Sequence, residues 1–132
     1  MANISNYLEE RILNHIFRGA SSTSPSNLYL GLFLNNPTDA GTGTEVSGTG
    51  YERQTVSFNA PSQIDGKATI SNNAEIEFPS AGSNWGLVTH AAIYDDITGG
   101  NMLYYGPLQN PKDVETSDIL KILESELVLT LD

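Results

Sequence analysis

Hydrophobic periodicity changes once along this chain, at Gly19, and that switch constrains the fold more than any other feature of the sequence. Before it, Leu8, Ile12, Leu13, Ile16 and Phe17 recur on a 3.6-residue period and form one apolar stripe. Asn6 followed by Glu9 has the spacing of a helix N-cap with a carboxylate three residues on. Arg18 suits the last turn, and Gly19 suits the left-handed position just beyond it. The spacing predicts an amphipathic helix over residues 6–18, with one face to bury.

After Gly19 no helical period of comparable strength returns. Residues 20–27 form a Ser/Thr/Pro connector. Residues 28–34 are a continuous apolar run, short for a helix, and read as a strand covered on both faces. Residues 35–50 make a long Gly/Thr/Asp loop, of a length that is usually functional or mobile. Period-two alternation follows in 54–60, around Ala68 and Ile70, and in 74–78 before Pro79. A longer strand over 86–94 turns through Thr98-Gly99-Gly100-Asn101 into Met102-Leu103-Tyr104-Tyr105 as a hairpin. At the C-terminus, Leu127, Leu129 and Leu131 alternate with Val128 and Thr130. This favours two strands with a break near Glu124 and Ser125 over a helix through Ile119, Leu123 and Leu127. The expected fold is mainly β: an antiparallel β-sandwich of seven or eight strands over 28–132, preceded by one helix. Its 132 residues are one domain's worth of chain. Leu, Ile, Val and Phe supply a quarter of it, enough for a core.

Charge excludes whole classes of partner. Six Lys and Arg stand against sixteen Asp and Glu, a net charge of −10. Nucleic acid is bound by basic side chains that displace counterions, and no basic patch is visible, so neither nucleic acid nor an anionic membrane is expected as a partner. With no cysteine, disulfides, thiolate nucleophiles and Cys-based zinc sites are excluded. No stretch approaches the length of a membrane span, and the first residues lack the basic and apolar regions of a secretory signal.

The chain carries no recognisable catalytic motif. His15 lies off the helical stripe, and His90 reads as a structural strand residue. The glycines of 41–48 lack the spacing and the lysine of a phosphate loop. Glu75 and Glu77 share one strand face, about 7 Å apart, but alternate with Ala74, Ile76 and Phe78 and should point to solvent. Asp39, Glu45 and Asp95-Asp96 have the ligand type for calcium without EF-hand spacing. No metal and no cofactor is implied. Trp85, Tyr104 and Tyr105 form a glycan platform only if exposed together; aromatic residues in such folds more often fill the core or an interface.

Several of these segments resemble a family of small tailed-bacteriophage virion proteins, often labelled tail fibre protein. The first is Asn6-Tyr7-Leu8-Glu9 with Ile12-Leu13, His15 and Arg18-Gly19. The most specific is Leu28-Tyr29-Leu30-Gly31-Leu32-Phe33, then residues 37–48 and Tyr51-Glu52-Arg53-Gln54. A third runs through Phe78-Pro79, Trp85-Gly86, Val88-Thr89-His90, Asp95, residues 98–101 and Leu103, and the ending 127–132 is also similar. The chain departs from the pattern over 119–126. The resemblance implies a structural virion component and transfers no catalytic residues.

The expectation that follows is a non-enzymatic, surface-exposed virion protein, made in the host cytoplasm and released by lysis. Its partners are other virion proteins, of the capsid or the tail, and further copies of itself, in a homo-oligomer such as a trimer. A compact chain without heptads or repeats favours capsid decoration (cement) on the particle lattice. The alternative is a tail fibre or tail-tip adhesin that binds a host surface glycan, and a glycan hydrolase using Glu75, Glu77 or Asp95 ranks well below both. Docking is expected through the helix stripe, at Leu8, Ile12, Ile16 and Phe17, and through the loop acids Asp39 and Glu45.

Overall fold

The computed structural model describes residues 2–132. A short strand β1 (Asn3–Ile4) leads into helix α1 (Asn6–Ile12), which continues as one wider π-helical turn, Leu13–Phe17. The strands that follow are β2 (Leu28–Phe33), β3 (Gln54–Val56), β4 (Ser62–Ile64), β5 (Lys67–Ser71), β6 (Ile76–Glu77), β7 (Gly86–Tyr94), β8 (Met102–Val114), β9 (Lys121–Ile122) and β10 (Val128–Leu131).

The expected sandwich is corrected. The strands pair into three separate sheets: β1-β8-β7-β2-β3, β10-β5-β4 and β6-β9. All of these pairings are antiparallel. Only β2, β7 and β8 exceed five residues. The remaining strands are too short to build a second sheet broad enough to cover the first, and none of the three closes on another. One hydrophobic cluster nevertheless draws on all of them, through Leu30 and Ile93 of the large sheet, Leu129 of the second, and Ile76 and Ile122 of the third.

The apolar run of β2 is covered on both faces, as its composition predicts. Leu30 and Leu32 enter the main cluster. Phe33 turns the other way and joins Ala92, Tyr94, Met102 and Tyr105 in a second, smaller cluster. Loop 35–50 runs beside this second face: it bridges back to β2 at Phe33↔Glu45, and Gly41 lies against Met102. Gly48 is there for close approach, since a Cβ at that position would meet Trp85 Cδ1 at 2.3 Å.

The hairpin of β7 and β8 forms, and so does the break between β9 and β10, where Ser125 adopts φ 69°. Between the pairs Val88↔Lys112 and His90↔Pro107 the register jumps, so that residues 108–111 of β8 bulge opposite Thr89. β1 covers β8 only at Tyr104 and Tyr105, and the two prolines of β8 lie beyond it, on edge backbone that needs no donor. Sequence reading missed β1 and β4, which have two and three residues.

Asn72 fixes the C-terminal segment. Its buried amide donates to the carbonyls of Ala74 (2.8 Å) and Leu123 (2.9 Å) and accepts from the Leu127 N–H (2.9 Å). The Asn72-Asn73 pair is legible as a turn; the clamp it places across more than fifty residues is not.

Candidate docking surface

Helix α1 is fastened at its start. Its N-cap is Ser5, one residue before the Asn6 expected from sequence. The Ser5 hydroxyl accepts from the Leu8 N–H (3.2 Å) and donates to the Met102 carbonyl (2.5 Å). Leu8 then packs against the main cluster, and Ile12 is half-buried.

Beyond Ile12 the stripe loses its cover. The π-helical bonds add a residue to the turn, so the side chain four positions after Ile12 no longer falls beneath it. Leu13, Ile16 and Phe17 stand 57%, 64% and 76% exposed. Gly19, at φ +71°, ends the turn, and the Ala20 N–H closes it on the Asn14 carbonyl (3.0 Å).

The connector 20–24 is stitched to the helix by polar contacts. Arg11 donates to Ser22 Oγ (2.5 Å), the Tyr7 hydroxyl (3.1 Å) and the Thr23 carbonyl. His15 Nδ1 lies 2.8 Å from the Ala20 carbonyl. Arg18 donates to Asn14 Oδ1 (3.0 Å). Neither arginine has an ion-pair partner among the described residues. The result is an apolar surface rimmed by two unneutralised cations on an acidic protein.

The expected docking residues therefore divide. Ile16 and Phe17 lie on this surface with Leu13, whereas Leu8 holds the helix to the body and Ile12 is half-buried beside Leu103 and the connector. Asp39 lies at the other end of the helix, where its carbonyl accepts from the Asn6 N–H (3.1 Å) and its carboxylate accepts from the Tyr105 hydroxyl. Glu45 is elsewhere, half-buried in a cluster with Tyr51, Arg53 and Tyr94.

In that cluster Arg53 is 6% exposed. It donates to both Glu45 oxygens (2.8 and 2.9 Å) and to the carbonyls of Asp96 and Gly99 (2.8 Å each), with its guanidinium 3.7 Å from the centre of the Tyr94 ring. The Tyr51 hydroxyl donates to Glu45 Oε2 (2.5 Å) and accepts from the Leu32 N–H (2.9 Å). Burial, and then the bond to Glu45, push the Tyr51 hydroxyl far above its usual pKa. Burial alone would lower the Arg53 pKa, but pairing with Glu45 carries it upward. The cluster pins loop 35–50, β3 and the β7–β8 turn together. The Glu45 carboxylate, the Tyr51 hydroxyl and the Arg53 guanidinium are engaged with one another.

The aromatic platform is also corrected: all three of its residues are buried. Trp85 is 4% exposed, stands edge-on to Tyr51 at 5.5 Å, and donates to the Thr49 carbonyl (3.0 Å). The Tyr104 hydroxyl donates to the Thr130 carbonyl (3.0 Å). Tyr104 belongs to the main cluster and Tyr105 to the second one. As neighbours on one strand they point to opposite faces, so they cannot present one surface to a sugar.

The remaining acids behave as surface and turn residues. Glu75 and Glu77 are exposed, and Glu77 meets Lys121 at 3.4 Å. Asp95 accepts from the backbone and side-chain N–H groups of Asn101 (2.7 and 3.0 Å) and braces the hairpin turn. His90 is half-buried beside Thr89 Oγ1 (2.8 Å), and burial lowers its pKa. Among the described residues no three His, Asp or Glu side chains gather into a metal site, and no helix is long and apolar enough to cross a membrane.

A family model described as Podophage GP4 fiber I protein gp80 matches residues 3–130, nearly the whole chain, and the chain belongs to that family. No curated protein matches it.

Proposed function

As a member of this podophage fiber family, the chain is a phage virion structural protein, and we propose that it serves as a non-enzymatic docking module of the tail fibre. The exposed end of the helix, at Leu13, Ile16 and Phe17, carries this reading. A monomer keeps large side chains in water at a cost, and a contiguous group of them on a rigid, capped helix is what a partner surface covers. Family membership places weight on the tail rather than on capsid decoration, which rests only on the compact size of the chain. A fibre docking module is equally compact. Recognition of a host glycan, if it belongs to this fibre, falls to a surface other than Trp85, Tyr104 and Tyr105.

Immunogold labelling of purified virions with antibody to this chain tests the reading. Gold at the tail is the expected result. Gold over the head returns the protein to capsid decoration, and particles without gold, whole or disrupted, remove the virion role.

A further inference from the structure

The helix end has a counterpart on the same chain. Between the large sheet and the C-terminal segment lies an apolar crevice of about 550 Å³, floored by Leu30, Ile93 and Leu129 and walled by the β8 bulge at Leu108. It lies within the ~300–1,000 Å³ range of pockets that hold a compact group of atoms. It exists because β10 and the large sheet belong to different sheets that do not close on one another. Glu126 and Val128, both exposed, stand at its lip.

The charges of the two places are opposite. Beyond Glu9 and Glu10 the helix and connector up to Thr38 carry no Asp or Glu and hold Arg11 and Arg18. Residues 113–132 carry six carboxylate side chains against Lys121, which already faces Glu77, and of these Glu126 lines the crevice. Glu126, like Arg18, has no ion-pair partner among the described residues. Arg18 edges the first surface and Glu126 the second, and within a single chain the helix end stays exposed.

We infer that the occupant of the crevice is a second copy of this chain, whose helix end (Ile16 and Phe17, with Arg18 toward Glu126) seats in it and joins copies head to tail. The inference rests on the docking role proposed above and names its partner. Two different patches meeting make a heterologous contact, which closes into a ring or propagates as a chain. Both are ways of building a fibre element from a small module.

Sedimentation equilibrium of the purified chain tests this without the virion. The wild type is expected to gain mass with concentration, in multiples of the protomer. Phe17→Asp, which spoils the helix end, and Glu126→Lys/Val128→Lys, which spoils the lip, should each remain monomeric with wild-type circular dichroism. Mixed in equal amounts they should form a one-to-one dimer and nothing larger, since each keeps one intact surface. Arg18→Glu alone should weaken association tenfold or more and regain it with Glu126→Lys, which keeps the test open if the double variant misfolds. A wild type that stays monomeric at every soluble concentration, or a mixture that fails to pair, overturns the inference. If gold still labels the tail, the fibre reading survives that failure and the helix end binds a different virion protein.

Discussion

Gly31 shows how much one residue decides. In sequence it is a small residue in an apolar run, where it breaks no pattern. In the structure a Cβ there would lie 2.8 Å from Glu45 Oε2 and 3.2 Å from the Tyr51 hydroxyl, inside the cluster centred on Arg53. Gly31→Ala should therefore cost about 1–3 kcal/mol by prising that cluster apart. Arg53→Met should cost about 3 kcal/mol, because it leaves Glu45 Oε1 and two carbonyls without their donor and Glu45 Oε2 with Tyr51 alone. Combined, the two should cost less than their sum, since both damage one network. Urea unfolding midpoints of the two single variants and the double variant check this, and strict additivity would contradict it. A glycine inside a strand is a recognised sign of close approach. What approaches is not local information: Glu45, Tyr51 and Arg53 lie fourteen or more residues away from Gly31.

Helix α1 shows what periodicity can and cannot carry. The stripe and the stop at Gly19 follow from residue spacing, whereas the cap is Ser5, one residue before the position the spacing indicates. The division of the stripe does not follow from spacing either, because it depends on the π-helical turn. That division makes a prediction. Ile12→Asp puts a charge at a half-buried position between Leu103 and the connector and should destabilise the protein by about 1–2 kcal/mol. Phe17→Asp, at a position 76% exposed, should change stability by less than about 0.5 kcal/mol while abolishing association. Denaturant unfolding set beside sedimentation separates the two, and equal losses of stability would show that the stripe is buried along its whole length. Loop 35–50 illustrates the same limit. Its glycines invite a mobile or phosphate-binding reading, but Gly43 and Gly48 bring backbone against Pro37 and Trp85, and Gly41 takes φ +71°.

For the whole molecule, burial of tyrosine sets an alkaline limit. Burial raises the pKa of Tyr51, Tyr94 and Tyr104, and the bond to Asp39, followed by burial, raises that of Tyr105. Each is harder to ionise folded than unfolded, where tyrosine titrates near pH 10. The stabilisation is fully present below that value and falls as pH rises through it toward the folded values. Unfolding free energy measured from about pH 8 to about pH 11.5 should be flat and then decline, with tyrosinate absorbance appearing as the chain unfolds. Tyrosinate from any of these four at pH 10 in the folded chain, followed in a Tyr7→Phe/Tyr29→Phe background, would refute it. At this scale the sequence by itself determined the mainly β character, the single N-terminal helix, the two-sided burial of β2 and the solvent-facing carboxylates, because each follows from the spacing of side chains along a regular backbone. Only the tertiary structure decided that the strands form three sheets in place of a sandwich, that Trp85, Tyr104 and Tyr105 are buried, and that a crevice remains beside β10. Those outcomes depend on which strands find each other across the chain. Strands of two to five residues carry too little pattern to specify their partners, so the competition for a shared core settles the matter.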